Sequence, residues 1–205
     1  MQGEYIMGYI ATLKRIRNGR TNYRKRAALL LSRRRFVTIT VSDENVQAQI
    51  AYPMAKGDVT ITSSHSRELA RFGWNGSLNS LPACYLTGLL LGKKSLRKDV
   101  DEAVLYTGKN SFTSRVAACL KGVIDSGMKV PASDSSFPPE ERLVGNHIAE
   151  YARILRDENK DVYNSHFSRL ISNNFDPTQY SSYVQKVMDA ITASNELNKV
   201  TGEEK

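Results

Sequence analysis

The stretch most suggestive of chemistry is Gly88 to Ser95, GLLLGKKS, where glycines, lysines and a serine follow one another as in a phosphate-cradling loop. Such a loop needs four residues between its glycines and a Ser or Thr directly after the Lys. Bare backbone N–H groups then wrap the phosphates while the hydroxyl reaches magnesium. Here only Leu89 to Leu91 separate Gly88 from Gly92, and Lys94 stands between Lys93 and Ser95. In the preceding SLPACYLT, Ser80 suits a helix cap and Pro82 a first helical turn. The spacing predicts a buried helix from about Pro82 to Leu91, closed by Gly92. Lys93 and Lys94 would complement the negative end of its dipole. A nucleotide site is not expected.

Other reactive groups are scattered. His65, His147 and His166 lack metal-ligand spacing, and no serine lies in a nucleophile elbow. Cys84 and Cys119 sit in apolar helical patterns, too few and too far apart for a zinc site, and read as small buried hydrophobes. A two-metal nuclease needs carboxylates projecting from strands to hold its ions about 4 Å apart. Asp43-Glu44 and Asp99/Asp101/Glu102 instead fall in turns. No catalytic residue, metal or cofactor is expected.

The charge is more informative. The chain of 205 residues carries +8, and residues 1–35 hold ten of its 29 basic residues but one of its 21 acids, Glu4. The ten are Lys14, Arg15, Arg17, Arg20, Arg24, Lys25, Arg26, Arg33, Arg34 and Arg35. So one-sided an arm repels itself unless a polyanion neutralises it. Arginine predominates, which favours bidentate phosphate contacts and stacking on bases, and Tyr23 among them suits stacking. The implied partner is nucleic acid, with an acidic protein or an anionic membrane surface as the alternatives. With no clear apolar periodicity before about Leu29, the arm is expected to be mobile when free.

These residues must be held by something. RFVTITVS alternates, with Val37, Ile39 and Val41 on one side and Phe36, Thr38 and Thr40 on the other. NVQAQIAY sets Val46, Ala48, Ile50 and Tyr52 against Gln47 and Gln49 across a turn, SDEN. GDVTITSS gives a third strand, with Val59 and Ile61 inward and Thr60 and Thr62 outward. The three form an antiparallel meander with a Thr/Gln face. That face is either simply solvated or suited, through Thr38, Thr40, Gln47 and Gln49, to a sugar–phosphate backbone. A short helix around SRELARFG, the glycine-bounded helix, a strand in EAVLYTG and a helix in SFTSRVAACLKGVIDSG follow, the last stopped by Gly127. A Pro- and Ser-rich loop, a helix containing HIAEYARIL and a capped helix in DPTQYSSYVQKVMDAI complete the pattern, and the final TGEEK should fray. The expected architecture is α/β: an arm over 1–35, a domain over 36–155 and a helical C-terminal extension over 156–205. No apolar run approaches a membrane span and the N-terminus is not a secretory signal.

Several segments in sequence carry a resemblance. RTNYRKRAALLLSRRRFVTITVSDENVQAQI, SSHSRELARFGWNGSLNSLPACYLTGLLLGKK, YTGKNSFTSRVAACLKGVIDSG and FPPEERLVGNHIAEYARIL are similar to the archaeal and eukaryotic type of the large-subunit ribosomal protein eighteen family, over about residues 10 to 157. The resemblance implies a ribonuclease-H-like mixed sheet without catalysis. Its basic arm would thread between 5S and 23S rRNA in the central protuberance, beside the other 5S-binding protein, in a cytoplasmic, ribosome-bound protein. It makes Lys93 and Lys94 candidate rRNA contacts, with dipole complementation as the alternative. Asp43 and Glu44 stand where the family's hairpin turn is usually basic, so no phosphate contact is carried over to that tip. The segment beyond about Arg156 matches weakly, and its role is not carried over. A general DNA-binding protein and a metal-dependent nuclease on the same fold are the rival expectations.

Overall fold

The structure, a computed structural model, describes residues 13–19, 21–108 and 110–200, with side chains as far as residue 194. Two helices precede the sheet, α1 (Lys14–Arg17) and α2 (Tyr23–Ser32). The meander follows as β1 (Phe36–Val41), β2 (Val46–Tyr52) and β3 (Val59–His65). A 3₁₀ turn over Ser66–Phe72 leads to α3 (Leu81–Leu96), then to β4 (Val104–Leu105) and α4 (Ser114–Asp125). Beyond these lie α5 (Glu140–Val144), α6 (Asn146–Glu158), α7 (Lys160–His166), α8 (Ser168–Ser172) and α9 (Tyr180–Val200).

The sheet order is β3-β2-β1-β4, antiparallel within the meander and parallel between β1 and β4. This is the expected α/β, mixed-sheet architecture. In register, Val37 faces Ile50 and Ile39 faces Ala48, and all four are buried beneath α3 and α4. The intervening pairs, Thr38 with Gln49 and Thr40 with Gln47, point to the other side because side chains alternate along a strand. The third strand departs from expectation. Its pairing with β2 is irregular between Ile50 and Ala51, and a bulge breaks the two-residue alternation. Thr62 and Ser64 therefore turn to the core opposite Ile50 and Ala48, whereas Val59 and Tyr52 lie exposed at the hairpin end.

The glycine-bounded helix is also longer than expected. Ser80 caps it as predicted, accepting from the Ala83 N–H at 3.4 Å, but Gly92 lies inside it. Gly92 and Gly88 are there for packing. A Cβ on Gly88 would fall 1.9 Å from the Cys119 carbonyl oxygen, and one on Gly92 1.8 Å from Ser126 Oγ. Gly122 answers from α4, where a Cβ would meet the Tyr85 carbonyl at 2.1 Å. The glycines let two helix backbones approach closely, the use to which a residue without Cβ is suited. Ser95 Oγ donates to the Leu91 and Gly92 carbonyls where the helix continues to Leu96.

A second core holds the C-terminal segment. Val184, Val187 and Ile191 of α9 pack with Leu86, Leu89 and Leu90 of α3. Trp74, Phe175 and Tyr180 meet edge to face with centroids 5.1–5.6 Å apart. Asp176 caps the 3₁₀ turn over Pro177–Gln179 that feeds α9. Helix α9 thus packs on α3 through a cluster separate from the one beneath the sheet. The expected fraying of TGEEK lies outside the described residues.

Candidate nucleic-acid interface

The outer sheet face is the one α3 and α4 leave free. At one end α2 lies on it, with Leu29 buried against Phe36 and Ala51, beside Val104 and Tyr106. Asn22 caps α2 by accepting from the Lys25 N–H at 3.1 Å. Arg26 then reaches the β2–β3 loop, donating to the two Asp58 carboxylate oxygens at 2.6 and 2.5 Å and to the Met54 carbonyl at 3.2 Å. The hydrogen bond to Asp58 holds the Arg26 guanidinium above its ordinary pKa, against the opposing effect of burial. The arm thus has contacts with the sheet that the sequence did not show. One buried leucine and one bidentate ion pair anchor its second half, and neither shows as periodicity.

The anchoring sorts the predicted residues. Arg24, Lys25 and Tyr23 remain exposed on α2, whereas Arg26 is spent largely on Asp58. Lys14, Arg15 and Arg17 of α1 are exposed, and Arg15 Nε donates to Thr21 Oγ1 at 2.9 Å. Two open clefts flank Tyr23. One, about 590 Å³, runs along Ile16, Asn22, Arg24 and Gly108; the other, about 400 Å³, runs along Arg15, Arg26, Asp58 and Tyr106. Arg20 lies outside the described residues. Arg33 ends α2 with φ 53°, a left-handed turn a non-glycine residue adopts at some cost, which redirects the chain into β1. Arg34 diverges into a cleft of about 320 Å³ with Glu102, Lys129 and Val130, and Arg35 is half-buried at the start of β1.

Next to α2 the outer face presents Thr38, Thr40, Gln47 and Gln49 in cross-strand pairs, extended on β3 by Ser63 opposite Gln49 and His65 opposite Gln47. The structure brings this ladder and the exposed α2 cations to one side of the sheet. It does not bring Lys93 and Lys94 there, because α3 covers the opposite face. Lys94 is ion-paired with Glu68 and donates to the Ser63 carbonyl at 3.1 Å, and Lys98 donates to the Ile61 carbonyl. These lysines cover the free edge of β3, a common protection of an exposed strand. Sequence reasoning missed Asp58 and Tyr106, since Asp58 finds Arg26 across 32 residues without any local signal.

Both cysteines are buried. Burial pushes the Cys84 thiol up to about 12 and moves Cys119 the same way, which removes thiolate character from both. Among the described residues no three His, Cys, Asp or Glu side chains are grouped to hold a metal ion. Asp43 and Glu44 sit on the exposed hairpin turn, where Asn79 Nδ2 donates to the Asp43 carbonyl.

The fold is that of an α/β protein whose mixed sheet carries α3 and α4 on one face and α2 on part of the other. The comparisons give the class a family. Residues 8–115 match the model described as ribosomal large subunit proteins 60S L5 and 50S L18. The chain is 41% identical over 180 residues to the large ribosomal subunit protein uL18 of Methanococcus maripaludis, covering 87% of this chain and 93% of the relative. It is 39% identical over 189 residues to that of Thermofilum pendens, covering 89% and 96%. It is likewise 39% identical over 184 residues to that of Saccharolobus solfataricus, covering 88% and 92%. The protein belongs to the ribosomal L5e/L18 family, and is a structural constituent of the large ribosomal subunit.

Proposed function

We propose that the protein binds 5S rRNA and links it to 23S rRNA in the central protuberance, beside the other 5S-binding protein, in cytoplasmic ribosomes. The observation that carries this reading is the docking of α2. Leu29 and Arg26 fix the helix to the same outer sheet face that carries the Thr/Gln ladder, and Tyr23, Arg24 and Lys25 remain exposed on that helix. Cations of this kind neutralise phosphates, while short neutral donors and acceptors fit sugar and base edges. Tyr23 supplies a face on which an unpaired base can stack. Membership of a large-subunit family makes ribosomal RNA the polyanion at hand.

The test is competition binding of the purified protein to a 5S rRNA transcript, a 23S rRNA fragment, an unrelated hairpin and duplex DNA at moderate salt. Preference for 5S rRNA, with co-sedimentation of the native protein and 5S rRNA in large subunits, supports the reading. Preference for duplex DNA, or equal affinity for every RNA, overturns it.

A further inference from the structure

His65 ends β3 opposite Gln47, on the same face as Thr40, Gln49 and Ser63. Its backbone and ring are both held. The backbone N–H donates to Glu68 Oε1 at 3.1 Å, and Nδ1 accepts from the Arg67 N–H at 3.1 Å, closing a capping box on the following 3₁₀ turn. Glu68 is itself braced by Lys94, which also bonds the Ser63 carbonyl. An imidazole nitrogen that accepts a hydrogen bond carries a lone pair, so the proton of the neutral ring lies on Nε2. The half-buried ring therefore carries one fixed donor, and among the described residues none of the hydrogen bonds formed engages Nε2.

We infer that His65 is a further RNA-contacting residue of this face, acting as a neutral Nε2–H donor to an RNA acceptor such as a 2′-hydroxyl or a base edge. The inference rests on the proposed RNA-binding function. It differs from the arm's contribution because a neutral donor displaces no counterion.

His65→Asn separates the cap from the contact: Asn is a good cap residue, but it has no group where Nε2 stands. Affinity for 5S rRNA is measured across a range of salt, with thermal melting alongside, for wild type, His65→Asn, His65→Ser and His65→Ala. The expected result for Asn and Ser is a near wild-type melting temperature and a loss of affinity of roughly three- to ten-fold, one hydrogen bond's worth. That loss is the same at every salt concentration, so the salt slope is unchanged. Ala lowers both melting temperature and affinity. Wild-type affinity in the two cap-competent variants overturns the inference and makes His65 a cap only. A flattened salt slope also overturns it, because it requires a cationic ring. Failure of the wild-type protein to bind 5S rRNA instead overturns the function on which the inference rests.

Discussion

Replacing Gly88 by Ala tests the crossing of α3 and α4, which carries the sheet's inner face. Judged by intrinsic preference alone, alanine in a helix interior stabilises by about 1 kcal/mol over glycine. The structure reverses the sign. The new Cβ would sit 1.9 Å from the Cys119 carbonyl oxygen and 2.8 Å from its carbonyl carbon, both backbone atoms that no rotamer change can move. Relief requires the helices to part by more than about 1 Å, and a gap of that size forfeits a quarter to a half of each dispersion contact across it. Leu91, Leu120, Val123 and Cys84 all belong to the buried cluster at this crossing. Overpacking of this kind costs about 1–3 kcal/mol, sometimes more, and the backbone clash argues for the upper end even after the helix preference is subtracted. At about 2–4 °C per kcal/mol for a chain of this size, the melting temperature should fall by about 4–12 °C. Gly122→Ala, whose Cβ would meet the Tyr85 carbonyl at 2.1 Å, should behave alike. Thermal unfolding followed by circular dichroism reads both. A melting temperature equal to or above wild type in either variant refutes the close-crossing argument.

Asp58→Asn should free the Arg26 end of α2. The side chains are 19% and 32% exposed, so the stability loss is about 0.5–1 kcal/mol, and tryptic cleavage after Arg24 and Lys25 should quicken measurably. Unchanged cleavage kinetics would mean that Leu29 alone holds the helix. A second expectation concerns alkaline pH. Burial pushes the Tyr180 hydroxyl up to about 12, opposed by its hydrogen bond with Ser80. A folded-state pKa above the unfolded value of about 10 means that this group's contribution is intact below pH 10 and is lost as pH rises through 12. Melting temperatures between pH 9 and 12 should fall less steeply for Tyr180→Phe than for wild type, and parallel curves would contradict the assignment.

What the sequence made legible follows its periodicities. Alternation placed Val37, Ile39, Ala48 and Ile50 in the core and Thr38, Thr40, Gln47 and Gln49 outside, because a two-residue period maps directly onto the faces of a strand. It misplaced Thr62, because a bulge changes parity without changing composition, and it could not show that Val59 lies exposed at the hairpin end. Gly92 reads as a stop in a one-dimensional pattern, and only the neighbouring helix, with Ser126 and Val123 against it, explains a glycine inside α3. The arm's charge was plain, but Arg26 was counted with its neighbours although its partner lies on a distant loop. His65 was hidden for another reason, since its partners Arg67 and Glu68 are close in sequence but cap a turn whose shape the sequence does not display.

The central claim is that the exposed cations of α1 and α2 lie on RNA phosphates beside the open sheet face. Its most direct test is the slope of log affinity for 5S rRNA against log salt concentration. Wild type is compared with a variant in which Lys14, Arg15, Arg17, Arg24 and Lys25 are replaced by Gln, leaving the Arg26–Asp58 anchor intact. Each contacted phosphate contributes about 0.7–0.9 to that slope, so if about half of the five sit on phosphates, the slope should flatten by roughly 2. An unchanged slope in a folded variant would show that these residues do not touch the phosphate backbone, and would contradict the account.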